Sequence, residues 1–382
     1  DQNTFLLEPV SAENLVNNRN SRNFWCNVKG IGSWSLTGHS AEELSKKFTE
    51  MQDDSEVTAG FMWQKTTRES KKYQLRGEIL SFIPVDKNVE IMLVTITNTG
   101  RMAQTVTPTA AIPLYGRSAD NIRDHRHVTS LLHRIETTDT GVLVTPTLSF
   151  DERGHQVNHM TYYCVGWSGN GEKPVDFYPT AEDFVGEGGN FERPYAIVKN
   201  AEGVKAGTKI EGLEAVGGLH FSEITLEPEE ECSYLIFTGI TEDIQEIRNL
   251  SKTYTTREKV LEELEKTKAY WQEKVNVAYH TGDSDFNQFM HWVSFQPILR
   301  RIYGCSFLPH HDYGKGGRGW RDLWQDCLAL LIMNPDGVRQ MLLDNFAGVR
   351  IDGSNATIIG SKQGEFVADR NNITRVWMDH GV

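Results

Sequence analysis

The chain contains 382 residues and carries a formal net charge of −13 at pH 7. Its length exceeds that of one ordinary domain, so we expect at least two domains. The acidic balance excludes a nucleic-acid-binding role, because that role needs a basic surface. No run of about 18 apolar residues occurs in the sequence, so no membrane-spanning helix is predicted.

Cysteine and histidine usage predicts neither a disulfide framework nor a metal site. The five cysteines form no CxxC pair, and their odd number is typical of reduced thiols in a cytoplasmic protein. We expect apolar core positions for Cys26, Cys164, Cys232, Cys305 and Cys327. His125 and His127 lie two residues apart without Cys or Glu partners at ligand spacing, which is a weak metal motif. No metal and no cofactor are predicted.

Residues 1–240 have the pattern of β-structure. Short apolar runs rich in Val, Ile, Thr, Tyr and Phe alternate with clusters of Gly, Asn, Asp and Pro, as expected for strands and turns. The segment Glu90–Asn98 is apolar on both faces, which favours a strand buried between two layers. Roughly a dozen such segments predict a large antiparallel β-sandwich.

The spacing of apolar residues changes near Thr241, and residues 241–282 predict a helical linker. Thr255 and Glu258 have the spacing of a capping box, with Thr255 as the N-cap. Apolar residues then recur at helical spacing, at Val260, Leu264, Trp271 and Val275. We expect one amphipathic helix of about five turns that packs on neighbouring domains.

The remaining hundred residues or so predict a succession of helices. One helix should follow Asp283–Ser284, with Pro297 kinking or interrupting it. A second is predicted over about Asp322–Met333, and a third should begin with Asn334–Pro335 as its N-cap and first residue. This succession predicts an α/α barrel or bundle that begins here. We expect the chain to be part of a longer protein.

A glycine-rich loop leads into the second of these helices, where residues 314–326 read GKGGRGWRDLWQD. Glycines allow tight turns and close approach to a ligand. Arg and Asp side chains can hydrogen-bond sugar hydroxyls, and an indole face can pack on a sugar ring. The loop therefore predicts a sugar subsite formed by Trp320, Arg321, Asp322, Gln325 and Asp326. In one version of this site Arg321 is structural and pairs with Asp326 behind the sugar. The alternative is a buried Arg–Asp pair that caps a helix, and the pattern fits both.

These features together resemble glycoside hydrolase family 94, the inverting disaccharide and oligosaccharide phosphorylases. The resemblance rests on the β-rich block, the linker helix, the glycine-rich loop and several short motifs. These motifs are Asp285…Trp292…Gln296, Arg301…Arg321-Asp322…Gln325-Asp326, Asp352-Gly353-Ser354 and Trp377–Gly381. The segments Gly317–Asp326 and Asp352–Asp369 are most similar to the 1,2-β-oligoglucan phosphorylases.

The resemblance implies a β-then-α fold in three parts. These are a β-sandwich over residues 1–240, a helical linker over 241–282, and the first helices of an (α/α)6 barrel over 283–382. The implied reaction is inverting phosphorolysis of β-linked glucooligosaccharides, β-1,2-glucans above all, to glucose 1-phosphate and a shortened chain. Inorganic phosphate attacks the anomeric carbon while one carboxylic acid protonates the leaving oxygen. The Gly-Asp-Trp-Asn-Asp-like motif that carries this acid in the family does not occur in the sequence. We therefore expect the acid after Val382 and an inert chain without it.

The resemblance also assigns roles to individual residues. Asp322 matches the family residue that holds the glycosyl unit before the scissile bond. The family places an arginine six positions earlier, where this sequence has Gly316, and Arg318 or Lys315 is expected to replace it. Arg301 is the nearest match to the arginine that binds phosphate. The expected partners are a β-glucan oligosaccharide and phosphate, and a homodimer is left open.

Two other interpretations stay open. The chain-trimming domain of a cyclic β-1,2-glucan synthase is related to these phosphorylases and would lie in a much longer, membrane-attached polypeptide. A glucan-binding or structural β-sandwich with an inactive barrel belongs to a different functional class. An intact general-acid motif after Val382 would favour catalysis, and upstream membrane spans would favour the synthase.

Overall fold

The computed structural model describes residues 5–8, 22–117, 126–151, 154–303, 318–356, 358–359 and 366–367. The chain divides into two compact units, which are residues 3–268 and residues 269–382 together with residues 1–2. We call them the sandwich unit and the helical unit. The division falls inside one helix, Arg257–Lys274.

The sandwich unit consists mainly of strands. In chain order its strands are β1 (Asn23–Val28), β2 (Gly32–Ser35), β3 (Asp54–Gly60), β4 (Trp63–Ser70), β5 (Leu75–Phe82), β6 (Val89–Asn98), β7 (Gln104–Leu114), β8 (Arg134–Thr137), β9 (Gly141–Val144), β10 (Leu148–Asp151), β11 (Gly154–Val157), β12 (Thr161–Ser168), β13 (Asp176–Thr180), β14 (Lys209–Glu211), β15 (Ala215–His220), β16 (Ile224–Leu226) and β17 (Glu231–Thr241). Its helices are α1 (Ala41–Ser45), α2 (Arg126–Ser130), α3 (Ala181–Val185), α4 (Tyr195–Lys199), α5 (Ile244–Thr253) and α6 (Arg257–Lys274), the last of which continues into the helical unit.

These strands form two large antiparallel sheets. The nine-stranded sheet has the order β14-β8-β9-β12-β17-β6-β5-β4-β3. The six-stranded sheet has the order β13-β15-β7-β1-β2, with β16 also on β7. Side chains of both sheets, such as Phe24 and Val106 from one and Val94 and Ile236 from the other, belong to one buried cluster. The predicted large antiparallel β-sandwich is therefore confirmed.

Strand β6 shows how the sequence pattern produces the layers. Its side chains alternate between two faces, and nearly all of them are buried. Met92, Val94 and Ile96 belong to the cluster between the sheets. Ile91 and Leu93 belong to a second cluster, which includes apolar residues of α5 and α6. The expectation of a strand buried between two layers is met, because helices cover the outer face of this sheet.

Helices α3 and α4 cover the outer face of the six-stranded sheet. Thr180 ends β13 and caps α3, since its hydroxyl accepts the backbone N–H of Asp183 at 3.1 Å. Phe184 of α3 and Ile197 of α4 pack in one cluster with Trp25 of the sheet. The sandwich unit therefore has four layers, with a pair of helices outside each sheet.

The predicted linker helix is α6, whose 18 residues make about five turns, and a separate shorter helix, α5, precedes it. Asp243 caps α5, and its carboxylate accepts the N–H of Gln245 at 2.8 Å. Helix α6 begins at Arg257. The side chain of Thr256 hydrogen-bonds Glu258 and helps to hold the pKa of that carboxyl below its usual range. The predicted N-cap at Thr255 is therefore wrong by one residue.

The helical unit contains α7 (Ser284–Tyr303), α8 (Trp320–Met333) and α9 (Val338–Phe346), with the short strands β18 (Arg318–Gly319), β19 (Ile358–Ile359) and β20 (Phe366–Val367). Helix α7 begins after Asp283, whose carboxylate accepts the N–H of Asp285 at 2.9 Å. It continues through Pro297 without interruption. Three described helices do not establish a barrel, so the (α/α)6 architecture stays a prediction.

The predicted start of the third helix is wrong. Helix α9 begins at Val338, and Gly337 is its N-cap with φ of 76°. Asn334 and Asp336 instead lie in a turn before the helix, where their carbonyl oxygens accept hydrogen bonds from Arg301. Arg301 belongs to α7, so the sequence around the start of α9 cannot show this contact.

The described cysteines are free thiols, as expected for apolar core positions. Cys26, Cys164 and Cys327 are buried, and Cys232 is half-buried. Burial raises the pKa of the Cys26 and Cys164 thiols well above the usual range and raises that of Cys232 to about 12. Cys305 lies outside the described residues. Among the helices that the structure describes, none combines the length and apolar character needed to cross a membrane.

Candidate functional site

The exit of the glycine-rich loop is held by a small sheet that the sequence did not predict. Arg318 and Gly319 form β18, which pairs antiparallel with β19, and β19 pairs with β20. Helix α8 starts directly after β18. The small sheet therefore fixes where the first turn of α8 lies, and Asp322 belongs to that turn. Acidic residues in the first turn interact favourably with the helix dipole.

Trp320 is a core residue and not part of a sugar-binding surface. It is buried in a cluster with Leu323 and Ala356. Its ring centroid lies 5.7 Å from that of Trp324 and 6.5 Å from that of Phe366. The predicted role in substrate binding is corrected, because a side chain that is only 3% exposed cannot pack against a sugar ring.

Asp326 is also structural, and its partner differs from the expected one. Its side chain is only 5% exposed. Arg300 of α7 holds both carboxylate oxygens, through Nε to Oδ2 at 2.7 Å and through Nη2 to Oδ1. Such a bidentate pair satisfies a buried carboxylate. The expected pairing of Asp326 with Arg321 is therefore replaced by a pairing with Arg300, which joins α7 to α8.

Three of the predicted subsite residues remain accessible on α8. Asp322 is half-buried, while Arg321 and Gln325 are exposed. Arg321 Nη2 lies 3.8 Å from Asp322 Oδ1, which is a loose surface ion pair. A carboxylate, a guanidinium and an amide on adjacent turns can accept from and donate to several hydroxyl groups at once. This trio is the part of the predicted sugar subsite that remains accessible in the described structure.

Arg301 lies at the other end of α8 from this trio. Its guanidinium donates to the carbonyl oxygen of Asn334 at 3.3 Å and to that of Asp336. Asn334 follows Asp322 by twelve residues, which corresponds to about 18 Å along a helix. Arg301 therefore closes the C-terminal end of α8 in the described structure.

Arg301 also lines a groove of about 200 Å³. The groove is formed by α6, α7, α8 and the residue after it, through Tyr270, Trp271, Lys274, Ile298, Arg301, Ile302, Leu330 and Asn334. Its cations Lys274 and Arg301 lie at the C-terminal ends of α6 and α7, where positive charge stabilises the helix dipole. Stabilisation of the two helix ends therefore explains why both cations are present, and no bound ligand is needed to explain them.

The Asp352-Gly353-Ser354 motif forms a self-contained turn. Asp352 Oδ1 accepts the hydroxyl of Ser354 at 2.7 Å and its backbone N–H at 2.9 Å. These hydrogen bonds hold the pKa of Asp352 below its usual range. Gly353 has φ of 81°, which a glycine adopts without strain. The motif therefore stabilises a local turn, and the Asp352 carboxylate accepts hydrogen bonds within that turn.

Several predicted residues cannot be placed. The side chain of Arg318 is outside the described part of the structure, although its backbone lies in β18. Lys315, Gly316 and Trp377–Gly381 are outside the described residues, as is His125. The side chain of His127 is not described either.

The sequence patterns did not identify Arg300 as the partner of Asp326, although the position of Asp326 on α8 indicated that it needs a cation. Asp326 lies on the apolar face of α8 that also carries Leu323, Cys327 and Leu330. A carboxylate on such a face needs a cation, because an unpaired buried charge is strongly unfavourable. Two adjacent arginines end α7, and the helical pattern alone did not show which of them faces α8.

Comparisons with known proteins agree with this fold. A bacterial glucoamylase complexed with acarbose shares it, with a TM-score of 0.50 and 10% sequence identity over 89% of this chain and 46% of the glucoamylase. The cyclic beta-(1,2)-glucan synthase NdvB of Rhizobium meliloti (strain 1021) is 25% identical over 225 residues. That alignment covers 57% of this chain and 8% of the synthase. The chain therefore spans less than half of either protein.

The family model of the glycosyl hydrolase 94 supersandwich domain matches residues 11–257. The match includes both sheets of the sandwich unit and α5. It also covers more than half of the chain, which therefore belongs to glycosyl hydrolase family 94.

Proposed function

We propose that this chain is part of an enzyme that shortens β-linked glucans by inverting phosphorolysis and releases glucose 1-phosphate. The observation that carries the proposal is the family 94 supersandwich domain over residues 11–257. The accessible trio Arg321, Asp322 and Gln325 on α8 supplies polar groups of the kind that bind a sugar. Inorganic phosphate is the co-substrate in this proposal, and no cofactor takes part.

Asp322 would orient the glycosyl unit. A carboxylate that accepts hydrogen bonds from two sugar hydroxyls fixes the ring and can bind it more tightly as the transition state forms. Arg321, 3.8 Å away, keeps positive charge beside that carboxylate. Asp322 does not transfer a proton in this proposal. The single carboxylic acid that an inverting phosphorylase needs is assigned to residues outside this chain.

For the phosphate side of the site we propose an arrangement that differs from the one implied by the family resemblance. The attacking oxygen must approach the anomeric carbon to about 3–3.5 Å. Arg301 is held at the far end of α8, about 18 Å along the helix from Asp322. One sugar and its attacking phosphate cannot contact both residues in this arrangement. We therefore propose that the phosphate ligands lie elsewhere in the enzyme and that Arg301 stabilises the end of α8.

The substrate is proposed to be a β-1,2-linked glucan. The synthase that aligns with this chain carries that linkage in its name, and the same alignment favours a second candidate. In that candidate the chain belongs to a synthase and trims its product to length. A sandwich that binds glucan without catalysis is the remaining alternative.

The test uses the full-length protein that contains this chain. It is incubated with β-1,2-glucooligosaccharides and inorganic phosphate, and glucose 1-phosphate is measured over time. We expect release that requires phosphate and that is much slower with β-1,4-linked oligosaccharides. Glucan binding without release of glucose 1-phosphate would support the binding module instead. Membrane-spanning segments in the full-length protein, together with activity on the product of glucan synthesis, would support the synthase.

A further inference from the structure

The turn that follows α9 packs against the first residue of α8 through a glycine. A Cβ atom at Gly348 would lie 2.7 Å from Cζ3 of Trp320 and 2.7 Å from Cδ1 and Cε1 of Phe366. Carbon atoms that are not bonded to each other pack best at about 3.5–4.0 Å. Any side chain at this position must therefore displace at least one of the two rings.

The backbone of this turn is held on both sides of the glycine. The N–H of Gly348 donates to the carbonyl oxygen of Asn345 at 3.0 Å, and its carbonyl oxygen accepts the N–H of Ala356 at 3.2 Å. The next residue, Val349, forms an antiparallel backbone bridge with Asn355. Because these contacts fix the turn, an added methyl group would push the rings away and leave the turn in place.

The side chain of Trp320 determines which face of α8 is buried at the start of the helix. Residues three and four positions apart share a face of a helix, and Leu323 and Cys327 are buried on the face of Trp320. Arg321 and Asp322 lie on the other side and stay accessible. The first turn of a helix has no intrahelical partners for its N–H groups, so it depends strongly on the packing of its first side chain.

The end of α9 supports the same part of α8 through a second contact. The ring centroid of Phe346, two residues before Gly348, lies 4.9 Å from that of Trp324. The Trp324 ring in turn lies 5.7 Å from the Trp320 ring. The end of α9 and the turn after it therefore contact both tryptophans in the first two turns of α8.

We propose that Gly348 is a positioning residue of the sugar subsite. Its lack of a side chain allows Trp320 to pack fully, and Trp320 then holds Arg321 and Asp322 in the orientation that receives the glycosyl unit. This inference rests on the proposed function, in which Asp322 binds that unit. Gly348 itself contacts no substrate and acts through Trp320. A displacement of about 1 Å at a binding group can lower the rate about 100-fold.

The first test compares the kinetics of two glycine variants of the full-length protein. Gly348→Ala should lower kcat/KM for β-1,2-glucooligosaccharides by about 10–100-fold and raise KM for the glucan. A partly unfolded preparation would instead show a lower kcat at an unchanged KM. The control is Gly282→Ala, because a Cβ atom at Gly282 would have no other atom within 4 Å. We expect this control to behave like the wild type, and an equally active Gly348→Ala variant would overturn the proposal.

The second test measures the coupling between Gly348 and Asp322. In the Asp322→Asn background the carboxylate that orients the sugar is already lost. Adding Gly348→Ala there should lower kcat/KM by less than about threefold, because residues that act through the same contact do not have additive effects. The same fold-loss in the wild-type and Asp322→Asn backgrounds would show that Gly348 acts independently of the subsite and would overturn the proposal.

Hydrogen exchange supplies a measurement that does not require activity. In Gly348→Ala, a peptide covering residues 318–326 should exchange at least about threefold faster than in the wild type, because the start of α8 opens more often. A peptide from β6 should exchange at the wild-type rate. Unchanged exchange over residues 318–326 would overturn the proposal even where the wild type releases glucose 1-phosphate. Faster exchange in a protein whose wild type releases none would contradict the proposed function, and Gly348 would then be a structural residue only.

Discussion

The two compact units enclose their apolar side chains to very different extents. In the sandwich unit, large residues such as Trp25, Tyr162 and Phe237 are almost completely buried. In the helical unit, α8 buries Leu330 on one face and leaves Leu328 70% exposed on another. The described residues of the sandwich unit thus enclose complete cores, whereas those of the helical unit cover only part of their apolar surface.

The shapes of the elements explain this difference. A sheet face is covered by one second layer, either another sheet or a pair of helices. A helix that is apolar on more than one face needs partners on several sides. Helix α8 has contacts with α7, α9 and β18. We therefore expect the sandwich unit to carry the larger stability effects, and the helical unit to carry the effects on substrate.

The largest expected effect tests the core of the sandwich unit. The Phe237 ring lies 4.7 Å from the Trp167 ring and 5.4 Å from the Tyr254 ring, between centroids. Phe237→Ala should lower the free energy of unfolding by about 3–5 kcal/mol, because it leaves a cavity. Leu328→Ala, at an exposed position of α8, should change it by less than about 0.5 kcal/mol. Urea unfolding followed by circular dichroism measures both, and equal effects would contradict the comparison.

The next effect concerns substrate binding in the helical unit. Asp322→Asn in the full-length enzyme should lower kcat/KM by two to three orders of magnitude, or about 3–4 kcal/mol. The melting temperature should stay nearly unchanged, because Asp322 makes only a loose surface ion pair. The control is Asp336→Asn, an exposed acid beyond the far end of α8. A large loss of melting temperature with near-normal activity would instead make Asp322 a structural residue.

The buried ion pair of the helical unit should produce a smaller stability effect. Arg300→Met leaves the buried Asp326 carboxylate without its cation and should destabilise the protein by about 3 kcal/mol. Arg321→Met removes an exposed guanidinium and should change stability by less than about 1 kcal/mol. The double variant Arg300→Met/Asp326→Leu should recover part of the loss, as judged by chemical unfolding. Equal destabilisation by the two single variants would show that the pairing of Arg300 with Asp326 contributes no more to stability than an exposed arginine does.

The smallest effect, taken between pH 7 and pH 5, is a pH dependence of the sandwich unit. Burial and the nearby Arg117 guanidinium lower the pKa of His133 to about 3. In the unfolded chain the pKa is about 6.5, so unfolding takes up a proton between these values. The contribution of neutral His133 to stability is complete above about pH 6.5. It is lost as pH falls toward 3, at up to about 1.4 kcal/mol per pH unit.

Two histidine variants isolate this contribution. His133→Asn keeps an N–H that can replace the imidazole contact to the Leu213 carbonyl oxygen, now 3.1 Å, but cannot titrate. Its free energy of unfolding should fall less between pH 7 and pH 5 than that of the wild type. His159→Asn is the control, because His159 is exposed. A wild-type slope in His133→Asn would show that other groups govern the acid sensitivity.

The sequence was most informative where neighbours along the chain decide the outcome. Short apolar runs between turn residues marked strands such as β6, β12 and β17, and the family resemblance agrees with the matched supersandwich domain. Local signals also indicated the start of α7 at Asp283. They were less accurate for α6, where neighbouring threonines have almost the same capping spacing. They were wrong for α9, because a side chain from another helix holds the preceding turn.

The amino-acid sequence by itself determined the β-sandwich, the later helices and the presence of polar groups at the start of α8. These follow from the spacing of apolar residues and from local capping. Only the tertiary structure decided which polar groups stay accessible. Trp320 and Asp326 became core residues, while Asp322 remained open. Arg300 lies 26 positions from its partner Asp326, and the way two helices pack decides such a pairing.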